Sequence, residues 1–207
     1  IKVDRIRFSE HVTTVDMGIN GSFYPRLRLG LLGEHQIDNA ALAVTAANII
    51  NSRIFPIKAD HIYDGLLNVY WPARIQVLET CPKIVADVAH NPNGMTYLKK
   101  SIQEIFKFRR LILLMGVAKD KDYERMIKKI APITDEFVAV RAENHRSLEA
   151  HLLGKTALKY IPVVHSFPRV KDGLEYVISN ATDEDLVLCT GSHYTVGEIF
   201  QELEKHD

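Results

Sequence analysis

The sequence has 207 residues, 46% of them hydrophobic and 25% charged, enough for one sizeable core or two smaller ones. Its 26 basic and 26 acidic residues cancel, which argues against a nucleic-acid or membrane-surface protein, and charges interrupt every apolar run before membrane-spanning length. Two distant cysteines, Cys81 and Cys189, with no Cys-x-x-Cys or His-rich spacing, argue against zinc and fit a reducing cytoplasm. Ile1 opens directly in strand-like alternation, as in a chain cut from something longer.

Three strands are expected first, over 2–8, 12–17 and 23–32, with a hairpin turn at Gly18-Ile19-Asn20-Gly21. Alternation through Arg26-Leu27-Arg28-Leu29 puts the two leucines on one face and the two arginines on the other. From Gln36 the period becomes helical. Residues 39–50 are small and apolar almost all round, which predicts a buried helix. A second helix, over 57–67, follows Pro56. After Trp71-Pro72 the pattern changes: strands over 74–79, 83–87, 110–116, 136–140, 161–165 and 186–190 alternate with helices over 92–106, 122–131, 146–153, 168–179 and 196–204. Such alternation predicts an α/β class with a doubly wound, mostly parallel sheet, and the break divides the chain into 1–70 and 71–207.

Four constellations carry possible chemistry. The run Asp87-Val88-Ala89-His90-Asn91-Pro92 follows an apolar strand, so Asp87, His90 and Asn91 stand at the rim of a sheet, with Pro92 suited to the next helix's first turn. Asn91 as a helix cap and Asp87 as a loop holder are the structural alternatives. Gly33-Glu34-His35-Gln36-Ile37-Asp38-Asn39 opens the small-residue helix, where polar groups and free N–H groups suit either capping or a nucleotide base or phosphate. Trp71-Pro72-Ala73-Arg74 places an arginine at the proposed boundary, as a bidentate phosphate ligand or as a surface residue beside a buried tryptophan. Finally, Gly116 to Asp122 and Cys189-Thr190-Gly191-Ser192-His193-Tyr194 are strand ends running into polar, glycine-containing loops. Gly191 and Ser192 suit a carboxylate or phosphate, whereas Asp120 to Asp122 read more simply as solvated helix-start charge. Three of these loops fall at C-terminal strand ends of one sheet and are expected to converge on one crevice, with the other two facing it from across the boundary.

Five motifs in this order resemble the C-terminal part of the folylpolyglutamate synthase/dihydrofolate synthase family of the Mur ligase superfamily. Gly33 to Ala43 resembles its Gly-x-His-Gln-x-x-Asn-Ala segment, Trp71 to Arg74 its Trp-x-Gly-Arg linker, and Asp87 to Pro92 its Asp-Gly-Ala-His-Asn-Pro loop. Asp120-Lys121-Asp122 and Gly191 to Glu198 resemble two further signatures. The chain departs from the pattern at Ala73 and Val88, where the family has glycine, and at His193, where it usually has an apolar residue.

The resemblance implies a Rossmann-like ligase domain over 71–207, preceded over 1–70 by antiparallel strands and helices from the end of an ATPase domain. It implies an ATP-dependent ligase in which ATP phosphorylates a folate or pteroate carboxylate, the amine of L-glutamate attacks the acyl phosphate, and phosphate leaves with help from Mg2+. By motif, Asn39, Arg74 and Asp87 would contact ATP, with Arg74 at the phosphates. His90 would place glutamate or the acyl phosphate as the catalytic residue, with Ser192 nearby as a substrate contact. The ligands are small molecules, with no nucleic acid and no membrane partner, and the intact enzyme is expected to be a cytoplasmic monomer.

No Gly-x-x-x-x-Gly-Lys-Ser/Thr phosphate loop occurs in the sequence. The resemblance implies that this loop and the metal-binding acids lie upstream of residue 1. Two other readings remain: a Mur-type ligase acting on a cell-wall nucleotide, which His35-Gln36 disfavours because those relatives resemble His-Asn there, and a non-catalytic nucleotide-binding module. A dinucleotide-dependent dehydrogenase is disfavoured by the lack of a Gly-x-Gly-x-x-Gly after any strand. The purified 207-residue chain should therefore bind nucleotide or glutamate weakly at most, and a phosphate-release assay should show no robust ATP hydrolysis.

Overall fold

The computed structural model describes residues 1–205. The chain divides into two compact units, Ile1–Pro72 with Ser101–Phe106, and Ala73–Lys100 with the chain from Lys107 on. No helix among the described residues is long and apolar enough to cross a membrane.

The first unit opens with three antiparallel strands in the order β1 (Lys2–Phe8), β2 (Thr13–Ile19) and β3 (Ser22–Leu29). The hairpin turn is tighter than the sequence suggested: Ile19 pairs with Ser22, and only Asn20 and Gly21 lie between, both at positive φ (50° and 84°). That conformation matches the right-handed twist of the flanking strands, and Asn-Gly is the pair that adopts it most easily. Leu27 and Leu29 are buried while Arg26 and Arg28 are exposed, as the alternation predicts. Val15, Met17 and Leu27 pack with Ile37, Ala40 and Val44 of α1 (Glu34–Arg53) and with Ile62 of α2 (Ala59–Leu67).

The expectation that the first helix is buried all round is not met. Leu42 is 65% and Ile49 49% exposed, and only the Gln36–Ile37–Ala40–Ala41–Val44 stripe is covered. Small residues around the whole circumference give the helix no preferred face, so the neighbours available in the first unit decide which side is buried.

The second unit is a six-stranded sheet in the order β4 (Gln76–Thr80), β5 (Lys83–Ala86), β9 (Asp185–Thr190), β6 (Arg110–Met115), β7 (Glu136–Val140) and β8 (Val163–Phe167). Only β4 runs antiparallel, so the sheet is mostly parallel, as expected. Every residue of β7 and β9 is buried, the pattern of strands covered on both faces. The intervening helices are α3 (Pro92–Ile105), α4 (Tyr123–Ile130), α5 (Ala150–Ala157) and α6 (Val170–Asn180), and α7 (His193–Leu203) follows β9. Helix α4 packs with α5, and α6 with α7. Right-handed crossovers put these pairs on opposite faces, because the chain moves outward from β6 to β8 and then returns to β9.

Helix α5 begins at Ala150 rather than near Arg146. The preceding residues are held in an extended bridge, with Ser147 paired to Ala118 and the Leu148 N–H donating to the Val117 carbonyl. Tertiary pairing there overrides local helix preference.

At the sheet's N-terminal edge, Arg110 donates to Glu136 (3.1 Å) and Asp185 (2.9 Å), and the Tyr176 hydroxyl donates to Glu136 (2.9 Å). This paired cluster ties the starts of β6, β7 and β9 together at the end of the sheet away from the loops of interest.

At the C-terminal edge the strands come very close. Gly191 sits at φ 108°, and a Cβ there would stand 2.5 Å from the Gly116 carbonyl oxygen and 2.9 Å from Met115 Cγ. Replacing Gly191 with alanine is expected to cost about 1–3 kcal/mol, read as a lowered midpoint in urea denaturation.

Candidate functional site

The strands β5, β9 and β6 are neighbours in the sheet, so the loops that leave their C-terminal ends are neighbours too. The return of the chain to β9 makes this the point where strand order reverses, and open α/β sheets bind ligands in the crevice at such a point. Hydrogen bonds lock the three loops together. The Asp87 N–H donates to the Cys189 carbonyl (3.0 Å), the Thr190 hydroxyl to the Ala89 carbonyl (3.3 Å), and the Gly116 N–H to the Thr190 carbonyl (3.3 Å).

Asp87 is buried at the centre of this arrangement. Its Oδ1 accepts the Ala89 N–H (2.8 Å) and its Oδ2 accepts the Ile75 N–H (3.1 Å). The second bond meets Ile75 at φ 50°, and two residues before it Ala73 stands at φ 56°. Both are non-glycine residues in the left-handed region, and for β-branched Ile75 that is an uncommon strain. Ala73 therefore adopts the conformation that a glycine would take freely, and its carbonyl accepts the Val88 N–H (3.1 Å). Burial raises the Asp87 pKa to about 6, against the opposing pull of the Ala89 and Ile75 N–H groups, Arg74 and His90.

His90 donates from Nδ1 to the Val88 carbonyl (2.9 Å), which leaves Nε2 as its open nitrogen. His193, the first residue of α7, faces it with ring centroids 5.7 Å apart. The His193 pKa is lowered by partial burial first, then by His90 and Arg74. His90, Lys121, Arg146, Ser192, His193 and Tyr194 line a cavity of about 420 Å³, with Ala118 and Gly191 completing its wall. No carboxylate is on that wall.

The structure brings Arg74, Asp87, His90 and Ser192 into one unit around these loops. Ser192 is the N-cap of α7: its Oγ accepts the Thr195 N–H (3.1 Å) and hydrogen-bonds the Thr195 hydroxyl (2.9 Å). Asn91 caps the start of α3 by accepting the Gly94 N–H (2.8 Å), the structural alternative named for it. Asp122 caps α4, accepting the Arg125 N–H (3.3 Å), while exposed Asp120 pairs with Lys121 (3.6 Å) and Arg146 (3.3 Å). Asn39 belongs to the first unit. There its amide donates to Gln36 Oε1 (2.9 Å), Gln36 Nε2 lies 3.0 Å from His35 Nε2, and both Asn39 and Gln36 border an apolar depression of about 170 Å³.

Arg146 and Tyr194 were not singled out in the sequence. Arg146 sits in a segment that reads as helix, so only the Ala118–Ser147 bridge reveals that it turns toward the crevice. Buried Cys189 has its thiol pushed up to about 12 by burial and is inert packing.

A second cavity, about 410 Å³, lies beyond β7 and β8 among Arg141, Arg169, Lys171, Glu143, Glu198 and Glu202. Three acids, Glu143, Glu198 and Glu202, line it beside its three cations. It carries no comparable excess of positive charge. Among the described residues no group of three or more His, Cys, Asp or Glu side chains is arranged to hold a metal ion.

A doubly wound α/β domain with a basic, carboxylate-free cavity at its C-terminal crevice places the chain among Rossmann-like domains. Comparison with known proteins narrows this. The profile described as Mur ligase, glutamate ligase domain, matches residues 73–193, and the chain belongs to that family. The dihydrofolate synthase/folylpolyglutamate synthase of Bacillus subtilis is 28% identical over 188 residues, covering 87% of this chain and 42% of that protein. The probable bifunctional folylpolyglutamate synthase/dihydropteroate synthase of Haloferax volcanii is 32% identical over 173 residues, covering 83% of this chain and 20% of that protein. Among solved structures, the folylpolyglutamate synthase of Thermotoga maritima superposes with a TM-score of 0.82 at 26% identity, over 100% of this chain and 46% of that one. That of Mycobacterium tuberculosis complexed with ADP gives 0.89 at 24% identity, over 97% of this chain and 47% of that one. The chain thus spans less than half the length of the relatives it matches.

The raised Asp87 pKa has a consequence for stability. The folded chain takes up a proton between the ordinary value of 3.8 and about 6, so the contribution of neutral Asp87 is present at acid pH and lost as pH rises through that window. Denaturation of wild type and Asp87→Asn at pH 4 and pH 7 should show the wild type gaining, relative to the variant, about 2 kcal/mol toward acid.

Proposed function

We propose that this chain is the amino-acid-accepting part of an ATP-dependent ligase that joins L-glutamate to a folate or pteroate carboxylate through an acyl phosphate. The cavity at the ends of β5, β9 and β6 carries this reading: Lys121 and Arg146 supply positive charge, and no acid lines the wall. Glutamate brings two carboxylates, and guanidinium and ammonium groups in a partly dry cleft are the groups that hold them. The family match over 73–193 and the likeness to folylpolyglutamate synthases support the same choice of substrate.

In this reading residues 71–207 form the glutamate-ligase domain and residues 1–70 the end of the ATP-binding domain. Arg74 serves the nucleotide phosphates. Asp87, whose two backbone acceptances fix the segment carrying Arg74, acts chiefly by placing that arginine and His90. Asn39, with Gln36 beside an apolar depression, suits the edge of an adenine base. ATP is the phosphoryl donor. The glutamate amine bonds to the activated carbonyl carbon, the carbonyl–phosphate oxygen bond breaks, and the ammonium protons pass to solvent or to His90 Nε2. Charge builds on the departing phosphoryl oxygens, so cations near the reacting atoms lower the barrier. The described residues offer no group of His, Cys, Asp or Glu side chains arranged to hold Mg2+. The reaction belongs in the cytoplasm, where nucleotide and folate pools meet.

In the ligase that carries this chain, Lys121→Ala and Arg146→Ala should each raise KM for L-glutamate by about tenfold with a smaller effect on KM for ATP. Steady-state kinetics with each substrate varied separately checks this. Equal effects on both substrates, or none on glutamate, would exclude the cavity as the amino-acid site.

A further inference from the structure

We propose that His193 is a positioning residue that holds the amino group of the incoming amino acid by accepting a hydrogen bond from it. The inference rests on the cavity being the amino-acid site and concerns the half of the ligand that the cavity's cations cannot bind.

An amino acid carries an ammonium group beside its carboxylates, and an ammonium needs acceptors. The wall offers few. Lys121 and Arg146 are donors only, and like charge repels the ammonium. Ser192 Oγ is already engaged with the Thr195 N–H and hydroxyl. His90 has given Nδ1 to the Val88 carbonyl and keeps one open nitrogen. His193 supplies a second imidazole 5.7 Å away, tilted by 45° against the first, on the same wall. Two facing imidazoles on the wall of a basic cavity make the place where an amine can sit while the carboxylates reach toward Lys121 and Arg146.

The role requires a neutral ring. His193 is the first residue of α7, where the positive end of the helix dipole disfavours protonation. The charged or titratable groups around it are His90 from the loop after β5, Arg74 from the segment before β4, Lys121 and Arg146 from the loops after β6 and β7, and Tyr194 on its own helix. Partial burial, His90 and Arg74, in that order, hold its pKa below the ordinary 6.5. A protonated His193 is a donor that repels the amine, so amino-acid binding falls as pH drops through the His193 titration.

The test uses the full chain labelled with 15N at histidine, titrated by NMR with L-glutamate and with glutarate, which lacks the amino group, between pH 5 and 8. In the wild type, L-glutamate should shift the His90 and His193 ring signals saturably, with affinity falling toward acid at the His193 titration point. His193→Leu should bind L-glutamate about tenfold more weakly, without that inflection, while its affinity for glutarate stays unchanged. His193→Asn, which keeps an acceptor, should regain most of the affinity without the inflection, and it carries the test if the leucine variant fails to fold. Equal L-glutamate affinity and pH profile in wild type and variants would overturn the inference and leave the cavity reading standing. An equal loss for glutarate would also overturn it, since the amino group would then not be the group held. No shift of any cavity signal with either ligand would overturn the cavity reading and the inference together.

Discussion

The carboxylate of Asp87 is the constraint on which the ligand crevice depends. Its buried side chain accepts the N–H groups of Ala89 and Ile75, while the backbone N–H of the same residue donates to the Cys189 carbonyl. It thereby fixes the loop after β5, the strained segment before β4 and the end of β9 at one point. The cost is visible in two places: a carboxyl whose pKa burial lifts to about 6, and left-handed backbone at Ala73 and Ile75. Strain of this kind persists only where the surroundings over-determine it, and here the surroundings are the three elements that present Arg74, His90 and His193.

The rest of the second unit makes that point rigid and gives it a field. Strands β7 and β9 are buried throughout and cannot shift without opening the core. At the far edge, charges are paired off within the Arg110–Glu136–Asp185 cluster and serve the sheet alone. At the near edge, Lys121 and Arg146 reach the cavity wall while their partner Asp120 stays exposed outside it. The same kinds of side chain are thus structural at one end of the sheet and available to a ligand at the other.

The sheet was legible from the sequence because fully buried parallel strands leave long apolar runs, such as Leu111 to Met115, and each run ended in a polar loop. Convergence of those loops followed from topology alone. What the sequence hid depends on partners distant along the chain. Arg146 looked helical, but Ser147 pairs with Ala118 and turns it toward the crevice. The exposed face of α1 could not be read from a helix whose residues are small on every side. Asn91 reads from the sequence as a cap or a binding residue and Ser192 as an anion contact, and only the bonds to Gly94 and Thr195 show that each caps a helix.

The central claim is that the basic cavity over β5, β9 and β6 receives the amino acid. A crystal structure of the chain with L-glutamate tests it most directly. The account predicts density among Lys121, Arg146, His90 and His193, with the carboxylates toward the first two. Glutamate seated instead among Arg141, Arg169 and Lys171, with the β5–β9–β6 cavity holding only water, would contradict it.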